Sequence, residues 1–190
     1  MPETRLATPD DLIPLARTVT VAFDRDPAFR AFFDGPRFEE LAEAFAIDLL
    51  ARRIETDSVW TNPDRSAVAM WDPPVGPDPR PVSSLVLPDD ARRRLDDYDA
   101  RVHGAITTEP HWYLGVLASR PEHRGKGLAR LVAEPGLAAA SAGGVPAVLE
   151  TTNQANVAMY ERSGWSVTAE LHDVIGLQVW VMEYSDERAQ

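Results

Sequence analysis

The residues in this 190-residue chain whose types and spacing best suit chemistry lie in Arg120-Pro-Glu-His-Arg-Gly-Lys-Gly-Leu-Ala129. Two glycines and three cationic side chains separate an apolar, strand-like run (Trp112 to Ser119) from a helix-like run (Leu128 to Ala140). A strand, a glycine turn and a helix N-terminus gather unpaired backbone N–H groups at the positive end of a helix dipole. Such a turn suits phosphate oxygens. Glycine permits positive φ and lets the backbone come close to a ligand. The chain carries a formal net charge of −11, so the cluster Arg120, Arg124, Lys126 and Arg130 runs against its background. A plain surface turn with solvated basic side chains has the same composition, so the flanking elements decide between the two.

Those elements can be read along the chain. Thr8-Pro9-Asp10-Asp11 has the signature of a helix start: an N-cap threonine, a proline at N1 and a carboxylate at N3. Leu12, Leu15, Ala16, Val19 and Phe23 then repeat at helical spacing, after a short strand at Arg5-Leu6-Ala7. A second helix is expected from about Phe38 to Ile54, with Phe38, Leu41, Phe45 and Leu49 on one face. Between them, Asp24 to Phe33 reads as an aromatic, acidic connector. Ser58 to Thr61 and Ser66 to Trp71 read as a hairpin around Asn62-Pro-Asp-Arg65. Pro73 to Pro81 holds five prolines and is expected to be an extended loop. A polar helix follows, roughly Asp89 to Val102, carrying Leu95, Tyr98 and Val102. After the glycine turn come a strand at Pro146 to Thr152, a short helix at Ala155 to Arg162, and strands at Trp165 to Leu171 and Leu177 to Tyr184. This order suggests an α/β protein with a mixed sheet and helices on both faces, in one domain over residues 1–190.

Composition narrows the function. With no cysteine there is no disulfide, no thiolate metal ligand and no thiol nucleophile, and a reducing, cytoplasmic setting is expected. Met1-Pro-Glu-Thr-Arg5 lacks a basic-then-apolar leader pattern, and no apolar run reaches membrane-spanning length, so no membrane partner is expected. The acidic balance argues against a nucleic-acid partner and is compatible with a cationic substrate. His103, His111, His123 and His172 form no pair at ligand spacing on a helix, so no metal is expected. Trp112 and Trp180 could border an acceptor pocket, although core packing is the commoner use of tryptophan.

The glycine turn fits neither of two common phosphate motifs. A Walker loop needs a Ser or Thr after Gly-Lys, and Leu128 follows Gly127 here. A Rossmann fingerprint needs a third glycine where Arg130 stands. Arg124, Gly127 and Ala129 do satisfy Arg/Gln-x-x-Gly-x-Gly/Ala, and by this the chain resembles the GNAT acetyltransferase superfamily. A second block, Leu149 to Trp165, looks like that superfamily's later strand and its Asn…Tyr-Glu-Arg-x-Gly-Phe/Trp helix-turn. Most of the chain is also similar to puromycin N-acetyltransferase and its relatives, closely in the C-terminal half and only loosely over Arg25 to Ala105. Two residues depart from the pattern. Ser119 stands where the family usually has valine, and Pro135 falls inside the helix after the turn, where a bend is expected.

The resemblance implies a GNAT fold: a central mixed, mostly antiparallel sheet of about seven strands, splayed between strands 4 and 5. It implies acetyl-CoA as cofactor, with its pantetheine arm against Leu117, Ala118 and Ser119. The pyrophosphate would rest on Arg124, Gly125, Lys126, Gly127, Leu128 and Ala129, and Asn153 and Asn156 would lie beside the arm. Tyr160 matches the tyrosine that protonates the leaving thiolate, although amphipathic core packing would also explain it. Glu150, on the strand lining the splay, is a candidate general base, and equally a structural carboxylate. Asp24, Asp26 and Phe29 are candidates for attracting and lining the acceptor. The implied reaction is acetyl transfer to a small-molecule amine in a ternary complex, by a monomer or homodimer. Acetylation of a protein N-terminus or lysine, or acyl-CoA sensing without turnover, remain alternatives.

Overall fold

The computed structural model describes residues 3–74 and 85–184. Of the proline-rich stretch expected to be an extended loop, residues 75–81 lie outside the described residues. The elements, in chain order, are β1 (Arg5–Leu6), a 3-10 turn at Pro9–Asp11, α1 (Leu12–Ala22), α2 (Pro27–Phe32), α3 (Phe38–Ile54), β2 (Val59–Thr61) and β3 (Ala67–Asp72). They continue with α4 (Asp89–His103), β4 (Trp112–Ser119), a 3-10 turn at Pro121–His123, α5 (Leu128–Ala142), β5 (Ala147–Thr151), α6 (Gln154–Glu161), β6 (Trp165–Val174) and β7 (Leu177–Tyr184).

The seven strands form one sheet in the order β1-β2-β3-β4-β5-β7-β6. All neighbours are antiparallel except β4 and β5, which run parallel. This is the GNAT fold that the motifs imply. Each sheet face carries its own core. On one face α1 to α4 bury Leu15, Val19, Phe33, Leu50 and Tyr98 against Val116 and Val148. On the other, Val132, Ala133 and Ala140 of α5 pack with Trp71, Leu114 and Leu149. Fully burying one large apolar side chain contributes roughly 1.5–3 kcal/mol. Strand β4 therefore alternates its side chains between two dry layers.

The aromatic, acidic connector from Asp24 to Phe33 holds a helix that the sequence reading does not assign. This helix, α2, forms because the Asp26 carboxylate accepts from the backbone N–H of Ala28 (2.9 Å) and Phe29 (3.0 Å) ahead of Pro27 at N1. Phe29, Phe32, Phe33 and Phe45 then meet with ring centroids 5.4–6.5 Å apart. The α5 helix continues as one segment through Pro135. The next residue, Gly136, lies against Trp71: a Cβ there would fall 2.2 Å from the indole Cε2.

Asp11 clamps the N-terminal third. Its carboxylate, fully buried, accepts from Arg5 Nη1 (2.6 Å) and Nη2 (2.8 Å), from Arg65 Nε, and from the Thr8 N–H (2.8 Å) and hydroxyl (3.0 Å). This joins β1, the start of α1 and the tip of the β2–β3 hairpin. The hydrogen bonds from Arg5 come first among the causes that hold the Asp11 carboxyl well below the usual carboxylate range. With a depressed folded-state pKa, its stabilisation is present above about pH 4, where the unfolded group ionises, and is lost as pH falls further. Asp11→Asn is expected to cost roughly 2–3 kcal/mol at pH 7, because two guanidinium groups lose their anion. The deficit relative to the parent should shrink below pH 4. Urea unfolding at pH 7 and pH 3 checks both statements, and a pH-independent deficit would refute the electrostatic origin.

Candidate active site

Strand β4 ends by feeding the glycine turn, and the β2–β3 hairpin anchors that exit. The Arg120 N–H donates to Ser66 O (2.8 Å), and Arg120 Nε donates to the Thr18 hydroxyl (3.0 Å), which in turn donates to Arg65 O (2.7 Å). Gly125 and Gly127 both have positive φ, +77° and +74°, with no other atom within 4 Å of where a Cβ would project. Glycine is thus required by backbone conformation, and the surface above the turn is open.

The donor set differs in part from expectation. The N–H of Arg124 bonds to Pro121 O (3.2 Å) and that of Lys126 to His123 O (3.3 Å), so both are consumed in shaping the turn. Among the described residues, the N–H groups of Gly125, Gly127, Leu128 and Ala129 have no backbone acceptor. They converge at the N-terminus of α5, a helix of 15 residues. The side chains of Arg124, Lys126 and Arg130 are exposed and form no ion pair among the described residues. Four free donors, a helix dipole and unpaired cations fit an anionic diphosphate. A cavity of about 450 Å³ opens beside the turn, bordered by Asn62, Asp64, His123, Lys126 and Leu128; Glu150 does not line it.

Strands β4 and β5 pair only at Trp112↔Ala147 and Tyr113↔Val148. Beyond Tyr113 they part, and the edge of β4 from Leu114 to Ser119 is left without β5. On its other side β4 stays paired with β3 as far as Ser119↔Ala67, across one register shift, while β5 leaves it. Gly115 is the extra residue of a β-bulge, since Met70 pairs with Val116 and Trp71 with Leu114. The bulge resets the alternation and leaves Tyr113, Val116 and Ala118 all on the α1–α4 face. A Cβ on Gly115 would lie 3.2 Å from both Arg53 Nη2 and Tyr113 Cε1, so glycine makes room for these two side chains.

At the mouth of the parting strands stands Glu150. It shares the face of Val148 and accepts a hydrogen bond from the Tyr113 hydroxyl, 2.6 Å to Oε2. Tyr98, from α4, is buried in the same layer, near enough for its hydroxyl and the Glu150 carboxylate to shift each other's ionisation. Burial pushes the Glu150 carboxyl up to about 7; the bond from Tyr113 and the nearby backbone oppose this, and the charge of Asp99 adds to it. Burial, then the Glu150 charge, raise both Tyr98 and Tyr113 and keep their hydroxyls protonated. Tyr160 projects from α6 into the opposite layer, where its ring meets Trp165 at 5.8 Å between centroids. Burial and the Glu150 charge push its hydroxyl up to about 12. The raised carboxyl of Glu150 and the protonated phenol of Tyr160 thus belong to opposite faces of the sheet, on β5 and on the helix that follows it.

The other sequence candidates fall into distinct places. Leu117 packs towards the α5 layer, Ala118 is buried in the α1–α4 layer, and Ser119 ends the strand. Asn153 caps α6 by accepting from the Ala155 N–H (3.0 Å), and Asn156 Nδ2 donates to the Thr151 hydroxyl (3.4 Å). Both sit at the C-terminal end of β5. Trp112 lies on the α5 side, edge-on to Trp71 with centroids 6.3 Å apart. Trp180 pairs with Thr151 across β5 and β7 and is half-buried. Asp24 is exposed and held by Arg30 (2.6 Å), and Phe29 is a core residue at 5% exposure. Asp26 caps α2, whose Phe32 packs against Tyr98 in the α1–α4 layer with centroids 5.0 Å apart. Tyr98 and Tyr113, as partners of Glu150, are not identified by sequence reasoning. Among the described residues, no group of three or more His, Cys, Asp or Glu could hold a metal ion, and no helix is long and apolar enough to cross a membrane.

Residues 86–165, from the approach to α4 through α6, match the model of the acetyltransferase (GNAT) family. Solved structures of similar fold include one from Corynebacterium glutamicum, described as histone acetyltransferase HPA2 and related acetyltransferase. It is 22% identical with a TM-score of 0.66, covering 96% of this chain and 94% of that one. The PaiA N-acetyltransferase of Thermoplasma acidophilum, solved in complex with coenzyme A, is 12% identical with a TM-score of 0.61, covering 98% and 99%. Arylalkylamine N-acetyltransferase 2 of Aedes aegypti is 12% identical with a TM-score of 0.67, covering 95% and 97%. The family match thus spans α4 to the first residue of β6, and the solved structures share the fold of the whole sheet.

A raised carboxyl has a measurable consequence for stability. Because the folded-state pKa of Glu150 lies above its unfolded value, its contribution is fully present below about pH 4.5 and is lost as pH rises to 7. Glu150→Gln removes that cost. Relative to the parent, the variant should gain stability between pH 5 and pH 8, by at most about 3 kcal/mol. Denaturant melts across this range test the sign; a relative loss at high pH would show that Glu150 is not destabilised when charged.

Proposed function

We propose that this chain is an acetyl-CoA-dependent N-acetyltransferase that acylates a primary amine of a small molecule by direct attack, with residues 1–190 acting as one catalytic domain. The observation that carries this reading is a glycine turn that follows a strand parted from its parallel neighbour and whose N–H groups at Gly125, Gly127, Leu128 and Ala129 lack backbone acceptors among the described residues; Glu150 and Tyr160 follow on β5 and α6. When bound, acetyl-CoA supplies an activated acyl thioester.

The N–H groups of Gly125, Gly127, Leu128 and Ala129 hold the diphosphate, and the side chains of Arg124 and Lys126 add charge without setting geometry. The unpaired edge of β4 around Leu117 and Ser119 offers peptide groups to an extended arm, in the manner of an added strand. Asn153 and Asn156 border the arm from the end of β5. The acceptor enters from the α1–α4 face, where Glu150 stands in an environment that also includes Asp26 and Asp99. An amine attacks only when neutral, and its conjugate acid commonly has a pKa near about 10. Glu150 takes this proton, directly or through one water. A backbone N–H of β4 stabilises negative charge on the carbonyl oxygen as it develops. Tyr160 donates its proton to the departing sulfur, whose thiol pKa of about 8.5 makes the assistance modest. The chain has no cysteine to form an acyl-enzyme through a thiol, so transfer occurs in a ternary complex. The similarity to puromycin N-acetyltransferase noted in the sequence favours an amino-bearing antibiotic or metabolite as acceptor.

Release of free thiol from acetyl-CoA across a panel of amines tests the activity. Initial-rate plots should intersect; parallel lines would contradict direct transfer. Tyr160→Phe should lower kcat by roughly ten- to a hundredfold where chemistry limits turnover. Gly127→Val should weaken coenzyme A binding by calorimetry, because valine at φ +74° forces the turn to rearrange. Full cofactor affinity in the valine variant would remove the turn from the binding site.

A further inference from the structure

The β4–β5 ladder ends at the pair Tyr113↔Val148, and the next side-chain rung on the α1–α4 face is the hydrogen bond from Tyr113 to Glu150. A phenol and a carboxylate thus bridge the two strands at the point where their backbones cease to. The bridge is itself well braced. Gly115 leaves room for the Tyr113 ring, His103 of α4 lies against that ring with centroids 5.6 Å apart, and Tyr98 of α4 fills the same layer at only 5% exposure. The helix carrying Tyr98 and His103 is tied at both ends to backbone carbonyls. Arg94 donates to Phe32 O (2.9 Å), and Arg101 donates to Asp173 O (2.7 Å) and His172 O (2.9 Å).

We infer that Tyr113, with Tyr98 behind it, is a positioning residue that fixes the Glu150 carboxylate at the crotch of the parted strands and biases it to its anionic, proton-accepting form. The inference rests on Glu150 being the base. A hydrogen bond donated to a carboxylate favours the ionised state, and the buried Tyr113 phenol donates at 2.6 Å while remaining neutral, with Tyr98 packed beside it. Without them, a carboxylate in this layer would stay protonated at neutral pH and could not receive the proton of an ammonium acceptor. The groups facing Glu150 are Tyr113 on β4, Tyr98 and Asp99 on α4, and Tyr160 on α6; its neighbour on β7 is the apolar Val181. Of these, Asp99 opposes ionisation and the two phenols of the α1–α4 face favour it. His103 lies against Tyr113 and beside Asp99, and Asp26 acts on Tyr98 from α2.

The test is the pH profile of kcat/KM for an amine found by the thiol-release screen, compared for the parent, Tyr113→Phe, Tyr98→Phe and Glu150→Gln. Far-UV circular dichroism and calorimetric coenzyme A affinity establish that each variant is folded. The parent should show an acid limb near neutrality. In both phenylalanine variants that limb should move to higher pH by roughly one unit, with activity at pH 7 down roughly tenfold and largely recovered at pH 9. In Glu150→Gln the limb should be absent. If the limb disappears in Glu150→Gln but stays in place in both phenylalanine variants, the tyrosines are structural and the inference is overturned while the base stands. If the limb persists in Glu150→Gln, the base itself is misassigned and the inference falls with it. A readout independent of turnover accompanies this. The loss of folding stability on raising pH should extend to higher pH in Tyr113→Phe than in the parent, and coincident curves would count against the bond as a determinant of the Glu150 charge.

Discussion

Two parallel strands that pair over two residues and then separate are the constraint on which this molecule is built. A peptide edge left open inside a sheet is ordinarily a liability, because its donors and acceptors lack partners. Here the liability sits between two well-packed layers, and antiparallel ladders on the outer sides of β4 and β5 hold the gap open. The sheet cannot close it without giving up the β3–β4 register or the β5–β7 register. Keeping the strands apart is therefore a property of the whole sheet and not of the residues that line the gap.

The gap also divides the electrostatics. On one side of the sheet lie free backbone donors and unpaired cations at the start of α5; on the other lie Glu150, Asp99 and Asp26 with their phenol partners. In a chain of net charge −11 the second arrangement is cheap to produce and the first is not. Positive character at the turn comes largely from oriented peptide groups, which need no counter-charge and hold their direction by being part of a helix. The acidic side uses burial instead: carboxylates drawn out of water become weak acids and hence better bases.

How much of this was legible in the sequence depended on whether a signal was local. The bounds of α3, β4 and β7 follow directly from periodicity and flanking turn residues, because each is set by residues within the element. The glycine turn was equally plain, since positive φ at Gly125 and Gly127 is a local demand. The α2 helix carried a readable signal in Asp26-Pro27, an N-cap followed by proline, but the density of aromatic and acidic residues obscured it. The clasp around Glu150 could not be read. Tyr113 lies 37 residues away, on a strand whose parallel register is fixed only when the sheet forms, although the bulge at Gly115 itself is a position a glycine on a strand suggests. Tyr98, read as one apolar position of an amphipathic helix, does occupy the core, and its hydroxyl gains meaning only from what the core places beside it. The division of N–H donors in the turn was hidden for the same reason, since it depends on a 3-10 turn at Pro121–His123.

The contact between Trp71 and Gly136 links the inheritance of two distant positions. The indole occupies the volume that a Cβ at position 136 would need, so the close approach of Trp71 to α5 depends on Gly136. A substitution at position 136 is tolerable only in a background where position 71 has already become smaller, and a smaller residue at 71 alone leaves a void under the helix that follows the glycine turn. Neither change is accessible as a first step without loss. The two sites form an epistatic pair, and drift in this lineage is expected to cross that barrier by paired replacement.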